Sequence, residues 1–539
     1  MSGAPAMRFW GWGDDAHAGD GIPPHAEEML ARELDLPPGR SAPVALEEVR
    51  LGEPALTEAA LADLRAACKV RDDREARVLH AAGKSYPDLV RMRAGEGDGA
   101  PDAVVLPGSH DAARAVLDAC ARHGVAVVPF GGGTSVVGGV EPLRGDFPAV
   151  VALDLRRLDR LAAVDERSLT AVVEAGVTLP DAERMLGERG LTLGHFPQSY
   201  EYATVGGCVA TRSAGQASTG YGRIDELVLG VRMVAPAGDV DLAAMPASAA
   251  GPDLRELVVG SEGALGVITQ AALRVRPRPQ ERRYEGWMFP SFGEGAEALR
   301  ALEQAGVAPD VARLSDEEET RLSMALAGTG GVKGALAGTY LRARGVAGGC
   351  LAICGWEGSR DAVGRRRFAT EALLREHGAV PLGRSPGDAW ARGRFHGPYL
   401  RDHLIDRGVF VETLETAAQW SGLFGLYRAV GAALRGALGR CLVMCHVSHL
   451  YPSGASLYFT FLARAEPDPL GQWRWAKSAA TDAIVGAGGT ITHHHAVGRD
   501  HAPWLVREAG ATGVAALRAV KAELDPAGIM NPGKLLPAE

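Results

Sequence analysis

Three consecutive histidines, His493-His494-His495, lie near the end of this 539-residue chain. Near neutral pH an imidazole can accept or donate a proton, and it is also a common metal ligand. If the run is extended like a strand, His493 and His495 face one way and His494 faces the other. The residues alone leave three interpretations open: a metal site, a proton shuttle, or a surface run without chemistry.

A second stretch with chemical potential runs from Cys445 to Phe459 and contains His446 and Tyr458. Tyr458 belongs to an apolar run, residues 455–462, whose composition predicts a strand. Packing in the core is the ordinary role of a tyrosine in such a strand. Composition alone therefore assigns Tyr458 to the core.

A glycine-rich loop, residues 129–139, follows the apolar run 125–128, which predicts a short buried strand. Its three consecutive glycines have no Cβ to block a ligand, and their N–H groups can turn inward as an anion nest. The hydroxyls of Thr134 and Ser135 add donors, so a pyrophosphate would fit. The loop lacks the lysine of a Walker motif, and Pro142 interrupts the helix that a dinucleotide-binding fingerprint requires. A plain structural turn is the alternative.

Strands and helices alternate around this loop and predict an α+β domain over residues 101–278. Ser109 is placed to cap a helix that Gly124 ends, and Pro180 opens another that runs to Gly190. Strands are predicted at 150–155, 170–175 and 227–235. Further glycine-containing segments lie beside these elements, at 197–208, 213–215 and 260–269.

The glycine segments together resemble the FAD-binding loops of the vanillyl-alcohol oxidase superfamily, the PCMH type. The resemblance implies a two-subdomain FAD-binding domain. It also implies non-covalent FAD, because relatives that tether the flavin from the first loop have a histidine where Thr134 stands. The residues implied in FAD binding are Pro129, Gly131, Gly132, Gly133, Thr134, Ser135, Gln198, Ser199, Thr204, Gly206, Gly207, Ser213, Gly215, Glu262, Gly266, Val267 and Ile268.

The chain is predicted to have four parts, of which the FAD-binding domain, residues 101–278, is the second. Residues 1–100 form an N-terminal helical extension with helices at 24–34 and 58–67, and residues 491–539 carry the histidine triplet back to the FAD domain. Residues 279–490 alternate strands with helices, which predicts an antiparallel sheet with helices on one face, the cap domain of this superfamily. Glycines between 328 and 349 indicate either a mobile lid or a plain surface loop.

Composition excludes several classes of protein. The formal net charge of −9 argues against a nucleic-acid partner, which requires a basic face. No apolar run reaches the roughly 18 residues of a membrane span, and residues 1–15 lack a signal-peptide core. Seven cysteines in so long a chain make no disulfide framework, so they are expected as core thiols. A cytoplasmic location follows.

Two motifs narrow the resemblance. The FAD-linked D-2-hydroxyacid dehydrogenases carry His-x-Gly-Asp-Gly-Asn-x-His and Gly-Glu-His-Gly-x-Gly, and use two His and a Glu to hold a metal. At the matching places this chain keeps His446 but has Tyr458 for the second His and His494 for the Glu. No metal is therefore expected. The altered pattern instead resembles the alkyldihydroxyacetonephosphate synthase family, with supporting matches at 10–13, 202–207, 313–316 and 493–498.

That family resemblance implies exchange of the acyl chain of acyl-dihydroxyacetone phosphate for a fatty alcohol without net redox change. Flavin N5 would hold dihydroxyacetone phosphate between the half-reactions. The catalytic residues implied are Tyr458 as proton exchanger, a base among His493, His494 and His495, and Arg313 as an active-site charge. Arg401 is implied as the phosphate ligand. Without the resemblance, both arginines would be read as surface ion-pair partners.

The implied partners are lipid substrates, whose long chains require an apolar tunnel opening toward a membrane surface, and a second copy in a homodimer. The sequence leaves two other functions open. One is an FAD-linked D-2-hydroxyacid dehydrogenase or oxidase, which a hydroxy acid would reveal by bleaching the flavin. The other is a flavin- or lipid-binding protein without turnover, which would be inert to both substrate classes.

Overall fold

The computed structural model describes residues 7–14, 21–328 and 338–538. A four-stranded sheet lies under the first glycine loop. Its central strands are parallel, and Val125–Phe130 ends where the loop begins. In order across this sheet the strands are Lys69–Arg71, Ala103–Leu106, Ala149–Asp154 and Val125–Phe130.

A second, antiparallel sheet of five strands completes this half of the molecule. In order across it the strands are Gly238–Leu242, Val228–Ala235, Val267–Arg274, Thr170–Glu174 and Leu161–Asp165. Short pairings Arg50–Leu51 with Glu96–Gly97 and Leu191–Thr192 with Arg276–Pro277 lie outside the two sheets. One hydrophobic core, which includes Val127, Val173 and Val231, joins the two sheets.

The helices of this half begin and end largely where the capping residues predict. Ser109 accepts the N–H of Ala112 at the start of His110–His123, and Gly124 ends that helix with φ of 62°. The second predicted helix is shorter than expected, Leu179–Gly187. The remaining helices here are Arg74–Leu79, Tyr86–Arg93, Val205–Ala210, Ser218–Tyr221, Ile224–Leu227 and Arg255–Val258.

The cap is a seven-stranded sheet whose assigned pairings are all antiparallel. In order its strands are Val380–Gly383, Glu281–Phe289, Cys350–Gly358, Val311–Ser315, Cys441–Tyr451, Gly454–Arg464 and Val409–Gln419. Four long helices pack on one face over a core that includes Phe459 and Phe461. These helices are Phe292–Gln304, Arg360–Glu376, Trp420–Leu438 and Pro469–Gly486, and shorter ones follow at Glu317–Leu326, Arg384–Gly393 and Gly397–Asp406.

The two ends of the chain pack on different sheets. Helix Pro24–Leu34 has the predicted bounds, and its Leu30 and Leu34 pack against the uncovered face of the cap sheet. Helix Glu58–Ala67 also has its predicted bounds. After helix Leu505–Leu524, Asn531 donates its N–H to the carbonyl of Val127 in the first sheet. The four-part division of the chain stays a prediction.

Three further sequence predictions concern the cysteines, the glycine-rich stretch between 328 and 349, and membrane spans. The seven cysteines are all unpaired thiols, and five of them are buried. Within the glycine-rich stretch, residues 329–337 lie outside the described residues. No helix in the described part of the chain is long and apolar enough to cross a membrane.

Candidate active site

The first glycine loop packs backbone to backbone against the second predicted flavin loop. A Cβ on Gly132 would lie 2.0 Å from the carbonyl oxygen of Tyr202, and one on Gly131 would lie 2.3 Å from Thr204 Oγ1. Real Cβ atoms do not approach so closely, so only glycine allows this contact. The two loops therefore share one surface.

The other predicted flavin loops join that surface in the same way. A Cβ on Gly263 would lie 2.8 Å from the ring of Pro129, and one on Gly215 would lie 2.6 Å from the nitrogen of Phe196. Thr204 caps the short helix Val205–Ala210 by accepting the N–H of Gly207. The structure thus brings together all four predicted cofactor segments, which are residues 129–135, 198–207, 213–215 and 262–268.

Several predicted cofactor side chains have partners within the protein. Ser135 Oγ accepts the N–H of Gly139 at 2.9 Å, and Gln198 donates to the carbonyl of Arg394 at 2.8 Å. Ser213 Oγ lies 3.2 Å from His195 Nε2. Glu262 accepts the N–H groups of Val497 and Gly498, at 2.8 and 2.6 Å, and so joins these loops to the segment after the histidine triplet.

Buried polar atoms on these loops remain without a protein partner. Among the described residues these include His195 Nδ1, Gln216 Oε1 and Ser261 Oγ. A buried polar group without a partner is costly, so such atoms mark a place for a ligand that can hydrogen-bond. The glycine surface and these atoms fit a flavin dinucleotide.

Tyr458 faces away from the cap core, which corrects the composition-based assignment. On the three neighbouring strands Glu415, Tyr458 and His446 are direct partners, so they share one face of the sheet. The ring of Tyr458 stacks on that of His446, with centroids 5.0 Å apart. Leu457 and Phe459 point into the core on the opposite face. Burial raises the pKa of Tyr458 to about 12, so its phenol keeps its proton at neutral pH.

Arg313 is held on this face by two partners, not at the surface. Its Nη2 donates to Glu319 Oε1 at 2.6 Å, and its Nη1 lies 2.9 Å from His446 Nε2. His446 Nδ1 lies 3.1 Å from the same Glu319 oxygen. Burial works against the charge on Glu319, but Arg313 and His446 outweigh it and lower its pKa to about 2. Because both ring nitrogens of His446 are engaged, it cannot ligate a metal without breaking a contact.

The histidine triplet is not a strand, so the alternation of side chains that an extended run would show does not apply. The carboxylate of Glu415 accepts the N–H groups of both His493 and His495, and also the hydroxyl of Thr492 at 2.6 Å. This bends the backbone around one buried carboxylate. As a result His494 and His495 both face Tyr458, with ring centroids 6.0 and 5.5 Å away.

His493 turns instead toward a second tyrosine. Its Nε2 lies 2.6 Å from the hydroxyl of Tyr451, and its Nδ1 lies 2.9 Å from His494 Nδ1. His449, His493 and His494 offer ring nitrogens within 4.8 Å of one another and could hold a metal. However, His449 Nε2 lies 2.9 Å from the carbonyl of Gly215, and its Nδ1 lies 3.0 Å from Ser456 Oγ. That no metal is needed stays a prediction.

The histidines facing Tyr458 are neutral at physiological pH. Burial lowers the pKa of His494 to about 3 and that of His495 to about 4, although Glu415 opposes the shift. Burial likewise lowers the pKa of His449 to about 3. A neutral imidazole has one nitrogen free to accept a proton. The cluster therefore places proton acceptors beside a protonated phenol.

Arg401 lies on helix Gly397–Asp406, near this cluster. Burial raises the pKa of Tyr458 and lowers that of His495; the positive charge of Arg401 weakly opposes the first shift and weakly adds to the second. Its Nη1 donates to the carbonyl of Lys84 at 2.7 Å, while its Nε lies buried without a described partner. Sequence reasoning missed Glu415, Glu319 and Lys84, because none of them belongs to a motif. Glu415 is an acidic residue in a largely buried strand, Glu319 is one of three consecutive glutamates at the start of a helix, and Lys84 is a lone lysine in a loop.

Comparisons with known proteins agree with this geometry. A model described as FAD binding domain matches residues 101–242, and one described as FAD linked oxidases, C-terminal domain, matches residues 278–535. Alkyldihydroxyacetonephosphate synthase of Dictyostelium discoideum is 33% identical over 537 residues, which cover 95% of this chain and 88% of that protein. The chain belongs to the alkyldihydroxyacetonephosphate synthase family.

Other members of the family support the assignment. The Trypanosoma brucei brucei synthase is 36% identical over 487 residues, covering 87% of this chain and 79% of that protein. A solved structure of an alkyldihydroxyacetonephosphate synthase superposes with a TM-score of 0.85 at 30% identity, over 98% of this chain and 99% of that one. Relatives named as FAD-linked oxidoreductase or glycolate oxidase are more distant, at 29% and 26% identity.

Family membership confirms three sequence predictions. The fold is α+β of the PCMH type, the cofactor is FAD, and the protein is an FAD-dependent enzyme. Non-covalent binding of the flavin and the roles of the individual site residues stay predictions.

Proposed function

We propose that this protein exchanges the acyl chain of acyl-dihydroxyacetone phosphate for a fatty alcohol, with FAD and without net redox change. The observation that carries the proposal is the position of Tyr458 between His446 and the pair His494 and His495. FAD-linked hydroxyacid dehydrogenases have metal ligands at the places of His446, Tyr458 and His494, and this chain differs from them at Tyr458 and His494. A phenol that keeps its proton is suited to proton exchange instead.

The neutral histidines and the phenol can divide the proton transfers. His494 or His495 takes the proton from the carbon beside the substrate ketone, since a buried neutral imidazole accepts without first losing a proton. Tyr458 donates to the leaving carboxylate and recovers a proton from the entering alcohol. Bound FAD supplies a nucleophilic ring nitrogen, and the residues named as cofactor-binding would hold it.

Each of the two arginines is positioned to neutralise a different negative charge on the substrate. Arg313, fixed by Glu319 and within hydrogen-bond distance of His446, faces the reacting groups beside Tyr458. Arg401 has a buried Nε free to donate, and guanidinium groups bind phosphate oxygens well. We assign the substrate phosphate to Arg401 and the developing charge at the ketone to Arg313.

Apolar side chains continue on the same face of the cap sheet. Beyond Thr460 the face continues into Val411, Leu442 and Leu462, which pack under helix Pro24–Leu34. We assign the acyl and alkyl chains to this region. A cytoplasmic location, a homodimer and contact with a membrane surface stay predictions. Sedimentation would test the homodimer, and flotation with vesicles would test the membrane contact.

The deciding experiment uses the purified yellow protein under anaerobic conditions. It is given acyl-dihydroxyacetone phosphate with a long-chain alcohol, while fatty-acid release, ether product and the flavin spectrum are recorded. Ether product with the flavin oxidised at the end is expected. Absence of product together with bleaching by a D-2-hydroxy acid would overturn the proposal in favour of a dehydrogenase, and inertness to both would favour a binding protein.

A further inference from the structure

The N-terminal segment Arg8–Gly13 is attached to the candidate active site at two points. Trp12 donates its backbone N–H to Asp402 Oδ2 at 2.6 Å, and the carbonyl of Arg8 accepts from Lys84 Nζ at 2.6 Å. A Cβ on Gly11 would lie 2.5 Å from Asp402 Oδ2, so a larger residue here would have to displace that carboxylate. The segment therefore joins Lys84 to the helix that carries Arg401.

Lys84 is a buried cation that forms no ion pair among the described residues, although the carboxylates of Asp402 and Asp88 are near enough to act on its charge. Its side chain is 4% exposed, and its one described hydrogen bond goes to the neutral carbonyl of Arg8. Burial lowers the pKa of its amine to about 8; the charges of Asp402 and Asp88 oppose this shift, and the charge of Arg401 adds to it. A buried ammonium is costly unless an anion compensates it.

Arg401 and Lys84 lie side by side. Arg401 Nη1 bonds the carbonyl of Lys84, and in the described part of the chain Arg401 makes no ion pair with a carboxylate. The backbone N–H of Lys84 donates to the carbonyl of Ser135 at 2.6 Å, which places the pair at the end of the first glycine loop. Neither cation forms an ion pair among the described residues, although the charge of Asp402 acts on both. Next to Tyr458 and His495, the two adjacent cations form a site for a dianion.

We propose that Lys84 is a second ligand of the substrate phosphate, beside Arg401, and that the segment Arg8–Gly13 holds the pair in position. The proposal rests on the proposed function for the identity of the substrate. Its geometry rests on the hydrogen bonds from Lys84 to Arg8 and from Arg401 to Lys84. Lys84 supplies a point charge and Arg401 a planar donor fork, which together match a phosphate with several oxygens.

The same chemistry could serve a second phosphate source, the pyrophosphate of FAD, because Ser135 belongs to the first glycine loop. The two sources differ in what a loss of the charge on Lys84 would weaken. A substrate-phosphate site loses affinity for free phosphate with FAD already bound. A cofactor site loses affinity for FAD itself.

The test compares wild type with Lys84→Met, Lys84→Arg and the matched control Lys69→Met, which removes an exposed lysine of the same N-terminal region. FAD affinity is measured by flavin fluorescence on apoprotein, and affinity for inorganic phosphate by calorimetry on FAD-loaded protein. For Lys84→Met we expect phosphate binding about 30-fold weaker, as for the loss of a charge-assisted hydrogen bond, and FAD affinity changed less than about threefold. Lys84→Arg should recover part of the phosphate affinity, and Lys69→Met should match wild type.

Three outcomes would overturn the proposal. Wild-type protein that does not bind inorganic phosphate would do so, as would unchanged phosphate binding in Lys84→Met. Weakened FAD binding with unchanged phosphate binding would assign the cation to the cofactor. If Lys84→Met does not fold, Lys84→Arg and protection of wild-type Lys84 by phosphate against amine acylation decide the same question.

These readouts separate this inference from the proposed function. Phosphate binding through Lys84 in a protein that forms no ether product would support the phosphate site and reject the synthase reaction. Ether synthesis with an unchanged KM in Lys84→Met would support the synthase reaction and reject Lys84 as a ligand of the substrate phosphate.

Discussion

The ring of Tyr458 lies stacked on the ring of His446, with centroids 5.0 Å apart and planes 20° apart, on adjacent strands of the cap sheet. The stacking fixes the ring, while the hydroxyl remains the group that can exchange a proton. Tyr458→Phe keeps the ring and removes that hydroxyl. We expect kcat for ether formation to fall by about 10²- to 10³-fold, as for the loss of a general acid, with FAD content unchanged.

The control is Tyr340→Phe, since Tyr340 is 41% exposed and makes none of the contacts described for the candidate site. It should keep full activity. If Tyr458→Phe retains more than half of the wild-type kcat, the phenol does not take part in proton transfer.

Glu415 organises the histidine triplet by accepting the N–H groups of His493 and His495. Glu415→Gln would turn one acceptor into a donor facing these groups. We expect the free energy of unfolding to fall by about 2–4 kcal/mol and kcat to fall at least tenfold, because the histidines move relative to Tyr458. Chemical denaturation and steady-state turnover measure the two effects.

Glu412→Gln is the matched control, because Glu412 is equally buried on the same strand but bonds Trp473 on the other side of the sheet. It should lose comparable stability without the loss of kcat. Equal loss of kcat in both variants would mean that Glu415 acts only through stability.

The pH dependence of kcat follows from the buried histidines. Their pKa values of about 3 and 4 lie below the usual range because burial disfavours the charged form, so they remain neutral acceptors until the pH falls toward those values. Tyr458, with a pKa near 12, stays protonated. We expect kcat to be constant within about twofold from pH 6 to 9. An acid limb near pH 6.5 would show that the base is an ordinary, solvated histidine.

Gly132 determines how closely the first two glycine loops approach. In Gly132→Ala the new Cβ would meet the carbonyl of Tyr202 at 2.0 Å, so the loops must separate. We expect FAD to bind at least about tenfold more weakly, measured by flavin fluorescence. Gly364→Ala, on a helix where a Cβ meets nothing within 4 Å, should bind FAD normally. Equal FAD affinity in both variants would place the flavin elsewhere.

Non-covalent FAD is directly testable by acid precipitation. Thr134 stands where tethering relatives have a histidine, so the first loop offers no imidazole for attachment. After precipitation the yellow colour should remain in the supernatant. A yellow pellet would contradict the prediction and direct a search for a tether in the cap.

Local signals in the sequence predicted the elements that have their own caps or periodicity. The helix from Ser109 to Gly124 is one example, and the glycine loops are another, because their function depends on residues that lie next to each other in the chain. The bend of the histidine triplet was not predictable in this way. It depends on Glu415, which is far away in the sequence and whose strand, Val409–Gln419, shows no regular alternation of buried and exposed residues.

The assignment of Tyr458 shows the same limit. An apolar strand buried on both faces gives no alternation from which to read which side chain faces the core. Only the pairing with Val409–Gln419 and Cys441–Tyr451 decides that Tyr458 faces Glu415 and His446. The family resemblance, not periodicity, drew attention to this residue.

His446 and His449 are three residues apart, a spacing that would put them on opposite faces of a regular strand. An irregularity in the pairing between Val447 and His449 leaves Ser448 as an extra residue, so His446 pairs with Tyr458 and His449 pairs with Ser456. Both rings therefore reach the same side. The spacing of three therefore works only because the bulge absorbs Ser448: a strand that paired regularly through Ser448 would turn His449 away from Tyr458 and divide the cluster between two faces.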